Sequence, residues 1–276
     1  MDVSTIDHLE FYVENAAEAA ASLCTYFGFQ VHGMGTPETG LVDCHSILLR
    51  QREITILLTS ALSARHPAAD YVRRHGDGVA VIAMAVPDAR RAFGEAIRGG
   101  AEQIDPPTVL KDADGSVTFA CVTGFGDVTH RFVARDSLVA RFAPGLIKET
   151  LRVPGSSRLL QAIDHIAVCV PAGELVRTVR RYQEAFGFAE IFEERIVVGP
   201  LAMNSKVVQS QSGAVTFTIL EPDPSAEPGQ IDEFIRSHDG LESSTWLSPP
   251  MTSFWEYRRH RRRASHSLTH RPVITA

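Results

Sequence analysis

The chain repeats itself, and the repeat limits what it can fold into. Ile6–Phe29, IDHLEFYVENAAEAAASLCTYFGF, returns as Ile163–Phe188, IDHIAVCVPAGELVRTVRRYQEAFGF, two residues longer. Each copy opens on a short apolar run of strand type, continues through amphipathic helix and stops at a Phe-Gly-Phe turn. Strand-type runs follow in both: HSILLRQ and EITILLTS after the first, RIVVGP, NSKVVQSQ and AVTFTILEP after the second. The order predicted is β-α-β-β-β, twice. A shorter unit lies between them, with GVAVIAMAV as strand, PDARRAFGEAIRGG as helix with a glycine stop, then VTFACVTGF and VTHRFVARD as strands.

The expectation is therefore an α+β chain of paired βαβββ modules. Residues 1–136 hold two modules side by side in one domain, 137–160 with APG and VPGSS read as a linker, and 161–240 hold one complete module of a second, truncated domain. The segment YVRRH at Tyr71–His75 has a counterpart, FIRSH, at Phe234–His238. After YVRRH the chain enters the apolar strand GVAVIAMAV; after FIRSH it enters LESSTWLSPP, which neither alternates nor favours strand. The opening strand of the second domain is thus expected to lack a partner on one flank. The first domain is expected to be the more stable half, because burial of apolar area is the main favourable term in folding.

A hydrophobic fraction of 44% with 22% charged residues suits a packed core. Net charge is −6 with no basic stripe through the body of the chain, which argues against nucleic acid as a partner. No basic leader and no apolar run of about 18 residues is present, so no membrane partner and a cytoplasmic location are expected. Cys24, Cys44, Cys121 and Cys169 are widely spaced with no CxxC and read as reduced, mostly buried thiols. Residues 241–276 differ from the rest: six Arg, no Lys, only Glu242 and Glu256, both tryptophans, and RRHRRR at Arg258–Arg263. This Arg-rich tail is expected to be poorly ordered.

IDHIAVCV, AFGF, AMNSKVVQSQSGAVTFTILEPDP and GQIDEF resemble the catalytic domain of the 4-hydroxyphenylpyruvate-using dioxygenases, a family of the vicinal oxygen chelate superfamily. HPAADYVRRHGDGVAVIAMAV is similar to their non-catalytic half. The resemblance covers residues 3–240 and lies nearest the hydroxymandelate-forming members. It implies an Fe(II) cofactor held by two His and one carboxylate, with a small-molecule aryl keto acid and O2 as the partners of the reaction.

Carried over residue by residue, the resemblance makes His165 the first metal ligand, although a strand histidine by itself is more often a satisfied core or edge residue. It makes Ser205 a substrate-contacting hydroxyl and places Gln230 near the aryl end of the pocket. Leu220 stands where ring-hydroxylating members carry Asn before Glu-Pro, which favours the mandelate-type product. His8, at the equivalent place in the first half, reads as structural. The family's second His belongs to a GAGVQHIA-like strand where this chain has LESSTWLSPP, and no catalytic residue is assigned. Back-translated and reread one base out of register, Gly240–Leu247 permits Ala-Gly-Val-Gln-His-Met-Ala, so residues from 241 read as a frameshifted remnant of a longer enzyme. The expectation is an iron dioxygenase by descent, inactive in this chain for want of two ligands. A homogentisate-forming dioxygenase and a non-catalytic binding module are the alternatives, and a homodimer with a swapped module is a further arrangement left open.

Overall fold

The computed structural model describes residues 1–137, 140–150 and 160–237. The first module runs β1 (Thr5–Tyr12), α1 (Ala16–Phe27), β2 (Gln30–Gly35), β3 (Cys44–Gln51) and β4 (Ile54–Ala61). Asn15 starts α1 by accepting from the Ala17 and Glu18 amides, and Gly28 ends it at φ 74°, a conformation that favours glycine. Helix α2 (Pro67–His75) then leads into the second module: β5 (Gly78–Ala85), α3 (Ala89–Arg98), β6 (Gln103–Lys111), β7 (Ser116–Thr123) and β8 (Thr129–Arg135).

Within each module the first strand pairs in parallel with the last, β1 with β4 and β5 with β8, and antiparallel pairing of β1 with β5 joins the two. The nine-stranded sheet has the order β6-β7-β8-β5-β1-β4-β3-β2-β9, where β9 is the short strand Lys148–Glu149. Two expectations are corrected here. The second module is not shorter: it contains β6, which carries Pro106 and Pro107 and is almost wholly exposed, so it gave no strand signal. Nor is the described part of the linker a mere spacer. Phe142, Ala143 and Ile147 pack on Leu48 and Leu57 across the inner side of the sheet, and β9 covers the edge of β2.

The third module is β10 (Ile166–Cys169), α4 (Leu175–Phe186), β11 (Ala189–Val198), β12 (Leu201–Gln209) and β13 (Thr216–Pro222), followed by α5 (Gln230–Ser237). Its sheet order is β10-β13-β12-β11, with β10 and β13 again parallel. Glu221, in β13, accepts from the Gly173 and Leu175 amides and so serves as the acceptor at the start of α4. Among the described residues β10 pairs only with β13. Residues 238–276, including the Arg-rich tail, lie outside the described residues.

The third module shares its core with the first two. Tyr182 and Phe186 of α4 and Phe217 of β13 join one apolar cluster with Leu23, Ile82, Val122 and Phe132. At the joint, the His130 and Tyr182 side chains hydrogen-bond at 3.0 Å, wholly buried. Gly99, just after α3, lets α3 and α4 touch: a Cβ there would stand 2.1 Å from the Glu184 carbonyl oxygen. All four cysteines are free and three are buried. No described helix is long and apolar enough to cross a membrane.

Two outcomes are expected. Gly99 has φ −83°, which any residue adopts, so Gly99→Ala acts through the clash alone and should destabilise by about 1–3 kcal/mol. Gly94→Ala, inside α3 and facing only the Arg98 side chain, should stabilise by about 0.5–1 kcal/mol; urea unfolding of both variants checks the contrast. Burial and then the nearby Arg181 charge push the His130 imidazole down to about 3 from 6.5. The folded state holds it neutral while the unfolded chain takes up a proton below pH 6.5, so this contribution is full above pH 6.5 and is lost as pH falls toward 3. His130→Gln should flatten that part of the stability profile, read by urea unfolding at stepped pH.

Candidate metal and substrate site

His165 lies immediately before β10. Its Nδ1–H donates to Asp164 Oδ2 at 2.8 Å, which leaves Nε2 as the lone-pair nitrogen. A ring held by a carboxylate in this tautomer is the form in which histidine binds a metal. Strand alternation separates the two faces of β10: Ile166, Val168 and Val170 join the helix-side core, whereas Ala167 and Cys169 belong to the opposite, inner face with His165. Cys169 pairs with Leu220 in parallel and Ser205 pairs with Leu220 in antiparallel register, so all three share that inner face. Ser205 is buried at 4% exposure. Gln230 opens α5, which lies against β13 and β10. The structure thus gathers His165, Ser205 and Leu220 on one face and puts Gln230 on a neighbouring helix.

The first module shows what the same frame does when it is filled. His8 Nδ1–H donates to Asp7 Oδ1 at 2.6 Å, and Nε2 accepts from Arg131 Nη1 at 3.2 Å. Arg131 also donates to Glu10 Oε2 at 2.8 Å, the Thr59 hydroxyl donates to Glu10 Oε1 at 2.7 Å, and Ser46 and Thr59 share a hydrogen bond of 2.9 Å. Burial opposes the charge on Glu10, but Arg131 and the Thr59 hydroxyl outweigh it and hold the carboxyl below its ordinary value. Burial likewise works against Asp7, yet the His8 contact and the Arg135 charge bring it down to about 2. The His8 imidazole is pushed down, chiefly by burial, against the pull of Asp7, and the neutral ring is consistent with accepting from Arg131. A guanidinium therefore meets the Nε2 lone pair of His8. The sequence reading took His8 as structural but had no signal for Arg131, 123 residues away.

Matching the IDH segments places Ala167 at Glu10 and Cys169 at Tyr12. The strand registers agree: Tyr12 pairs with Thr59 as Cys169 pairs with Leu220, and Ser46 pairs with Thr59 as Ser205 pairs with Leu220. In the third module a carboxylate, a phenol and a hydroxyl have thus become Ala167, Cys169 and Leu220, while one hydroxyl, Ser205, is kept. Such a face suits an apolar ligand held by few polar contacts.

Iron is a separate question. A non-haem Fe(II) site needs three protein donors on one face of the metal. His165 has the right tautomer, but among the described residues no three His, Cys, Asp or Glu side chains come together as a metal site. The described residues alone do not make an iron centre.

A model of the Glyoxalase/Bleomycin resistance protein/Dioxygenase superfamily matches residues 7–119. The chain is 30% identical over 246 residues to a 4-hydroxyphenylpyruvate dioxygenase of Yarrowia lipolytica, covering 85% of this chain and 62% of the relative. It is 32% identical to the enzyme of that name from Danio rerio, covering 84% of this chain and 61% of the relative. The chain thus spans somewhat under two thirds of the length of these relatives. Among solved structures, a mutant of 4-hydroxymandelate synthase from Streptomyces coelicolor superposes with a TM-score of 0.80 at 36% identity, covering 88% of this chain and 70% of that one. By this identity, coverage and superposition, this chain belongs to the 4-hydroxyphenylpyruvate dioxygenase and 4-hydroxymandelate synthase family of the vicinal oxygen chelate fold.

Proposed function

We propose that this chain carries the substrate face and the first metal ligand of an Fe(II)-dependent aryl keto acid dioxygenase, with 4-hydroxyphenylpyruvate and O2 as substrates and 4-hydroxymandelate and CO2 as products. The observation that carries the reading is the Asp164–His165 pair beside an inner face cleared of the carboxylate, phenol and hydroxyl that occupy the inner face of the first sheet. His165 is the metal ligand, with Asp164 fixing its ring. Ser205 supplies the hydroxyl that orients the substrate, and Leu220, in place of a polar residue, gives its side group no hydrogen-bond partner. Gln230 contributes from α5 at the aryl end.

Because the described residues bring one donor, we expect them to carry keto acid binding and expect turnover to depend on two further donors. The two remaining donors come from outside the described residues. A second reading, a binding module without catalysis, is favoured by the absence of a three-donor group among the described residues.

Binding of 4-hydroxyphenylpyruvate to the full chain, measured anaerobically by calorimetry with and without Co(II) as a spectroscopic stand-in for Fe(II), tests the two together. Metal-enhanced binding that His165→Ala abolishes supports the dioxygenase reading. Binding unchanged by metal and by His165→Ala supports the module, and no binding under either condition sinks both. Ser205→Ala should weaken keto acid binding by roughly tenfold, the effect of about 1.4 kcal/mol for one lost hydrogen bond, without altering thermal stability by a comparable amount.

A further inference from the structure

Metal-type donors surround a charged side chain on the inner face of the first sheet. His8 and Glu10 lie two residues apart on β1, so they share that face, and both are buried. Asp7 holds the His8 ring in the tautomer that leaves Nε2 with its lone pair, as Asp164 does for His165. A single atom, Arg131 Nη1, meets both donors: His8 Nε2 at 3.2 Å and Glu10 Oε2 at 2.8 Å. Cys121 stands directly across from Arg131 in the β7–β8 ladder, and its sulfur accepts from the guanidinium. An imidazole nitrogen, a carboxylate oxygen and a thiol sulfur thus surround one cationic group. With the guanidinium between them, no three donors come together as a metal site among the described residues.

We propose that Arg131 is the resident cation of the first half and keeps a divalent metal out of it. The excluded class is a borderline divalent ion such as Zn(II) or Co(II), which takes histidine, carboxylate and thiolate as ligands and would find them in His8, Glu10 and Cys121. Glu10 is buried, and a buried carboxylate needs a cation beside it. A guanidinium and a metal ion both meet that need, and they compete for the same space. Arginine keeps its charge in a protein, so the place stays taken. Burial pushes the Cys121 thiol up, so a metal entering here would also have to displace the thiol proton to solvent. The Arg131 side chain keeps 20% exposure, which gives an ion a route to this face once the guanidinium is removed. The exclusion stands without the dioxygenase reading; only its consequence, that metal is directed to His165, rests on that reading.

Cobalt binding to the full chain, followed by calorimetry and visible absorption, tests the exclusion. Arg131→Ala should bind one Co(II) per chain more than the unaltered protein, with a Co(II)–thiolate charge-transfer band, and adding His8→Ala should remove that extra ion. Arg131→Lys, which keeps the positive charge, should bind no more Co(II) than the unaltered protein. Arg131→Ala also leaves Glu10 without its cation, so its thermal midpoint should fall, and Zn(II) or Co(II) should raise it again by binding the folded form. Should that variant not fold without metal, recovery of the folded circular dichroism spectrum on adding Zn(II) is the same result. No extra Co(II) in Arg131→Ala, an extra ion that His8→Ala leaves in place, an extra ion in Arg131→Lys, or a loss of stability that metal does not restore would each overturn the proposal.

Discussion

The parallel pairing of the first and last strand in every module is the contact on which the rest of this structure depends. Two parallel strands cannot be joined by a tight turn, so the chain crosses one face of the sheet as a helix and returns through two further strands of the same sheet. That puts α1, α3 and α4 on the same side as their apolar stripes and reserves the other side of the sheet for whatever the strands present inward. In β1 and β10 the alternation then has a fixed meaning. Leu9 and Phe11, like Ile166 and Val168, serve the helix-side core, and His8 and His165 fall on the inner face.

From this common frame the two halves make opposite use of the inner face. The first fills it with charge that is neutralised inside the protein: Arg131 meets Glu10 and the His8 lone pair, and Arg135 meets Asp7. A buried charge set of this kind is tolerable because each member has a partner, and it leaves nothing for a ligand to do. The third module removes the carboxylate, the phenol and the hydroxyl together. Its histidine keeps the same kind of carboxylate partner and, among the described residues, meets no guanidinium, so within them one dyad is closed in one half and open in the other.

The joint between the halves is built from small tolerances. Gly99 lets two helices meet where a methyl group would strike a carbonyl oxygen, and the His130–Tyr182 hydrogen bond gives the His130 Nε2 and the Tyr182 hydroxyl, both buried by the joint, a partner in each other. Glu221 follows the same economy: its carboxylate accepts from the first amides of α4, tying the last strand of the module to its helix.

The repeated IDH strand, the amphipathic helix and the Phe-Gly-Phe stop determine by themselves that the chain is built of βαβββ modules, because the periods of 3.6 and 2 are written in apolar side chains facing a core. His165, Ser205 and Leu220 were singled out only through the resemblance to the family, since alternation by itself marks neither a metal ligand nor a substrate contact. The strand β6 and most of β11 were not legible, since edge strands exposed on both faces carry no alternation and rest on backbone hydrogen bonds that any sequence can make. Nor could the sequence show that Arg131 meets His8, that residues near Phe142 pack on the inner side of the first sheet, or that Glu221 accepts from α4 amides. Those contacts join residues far apart in the chain, and only the closing of the sheets brings them within reach.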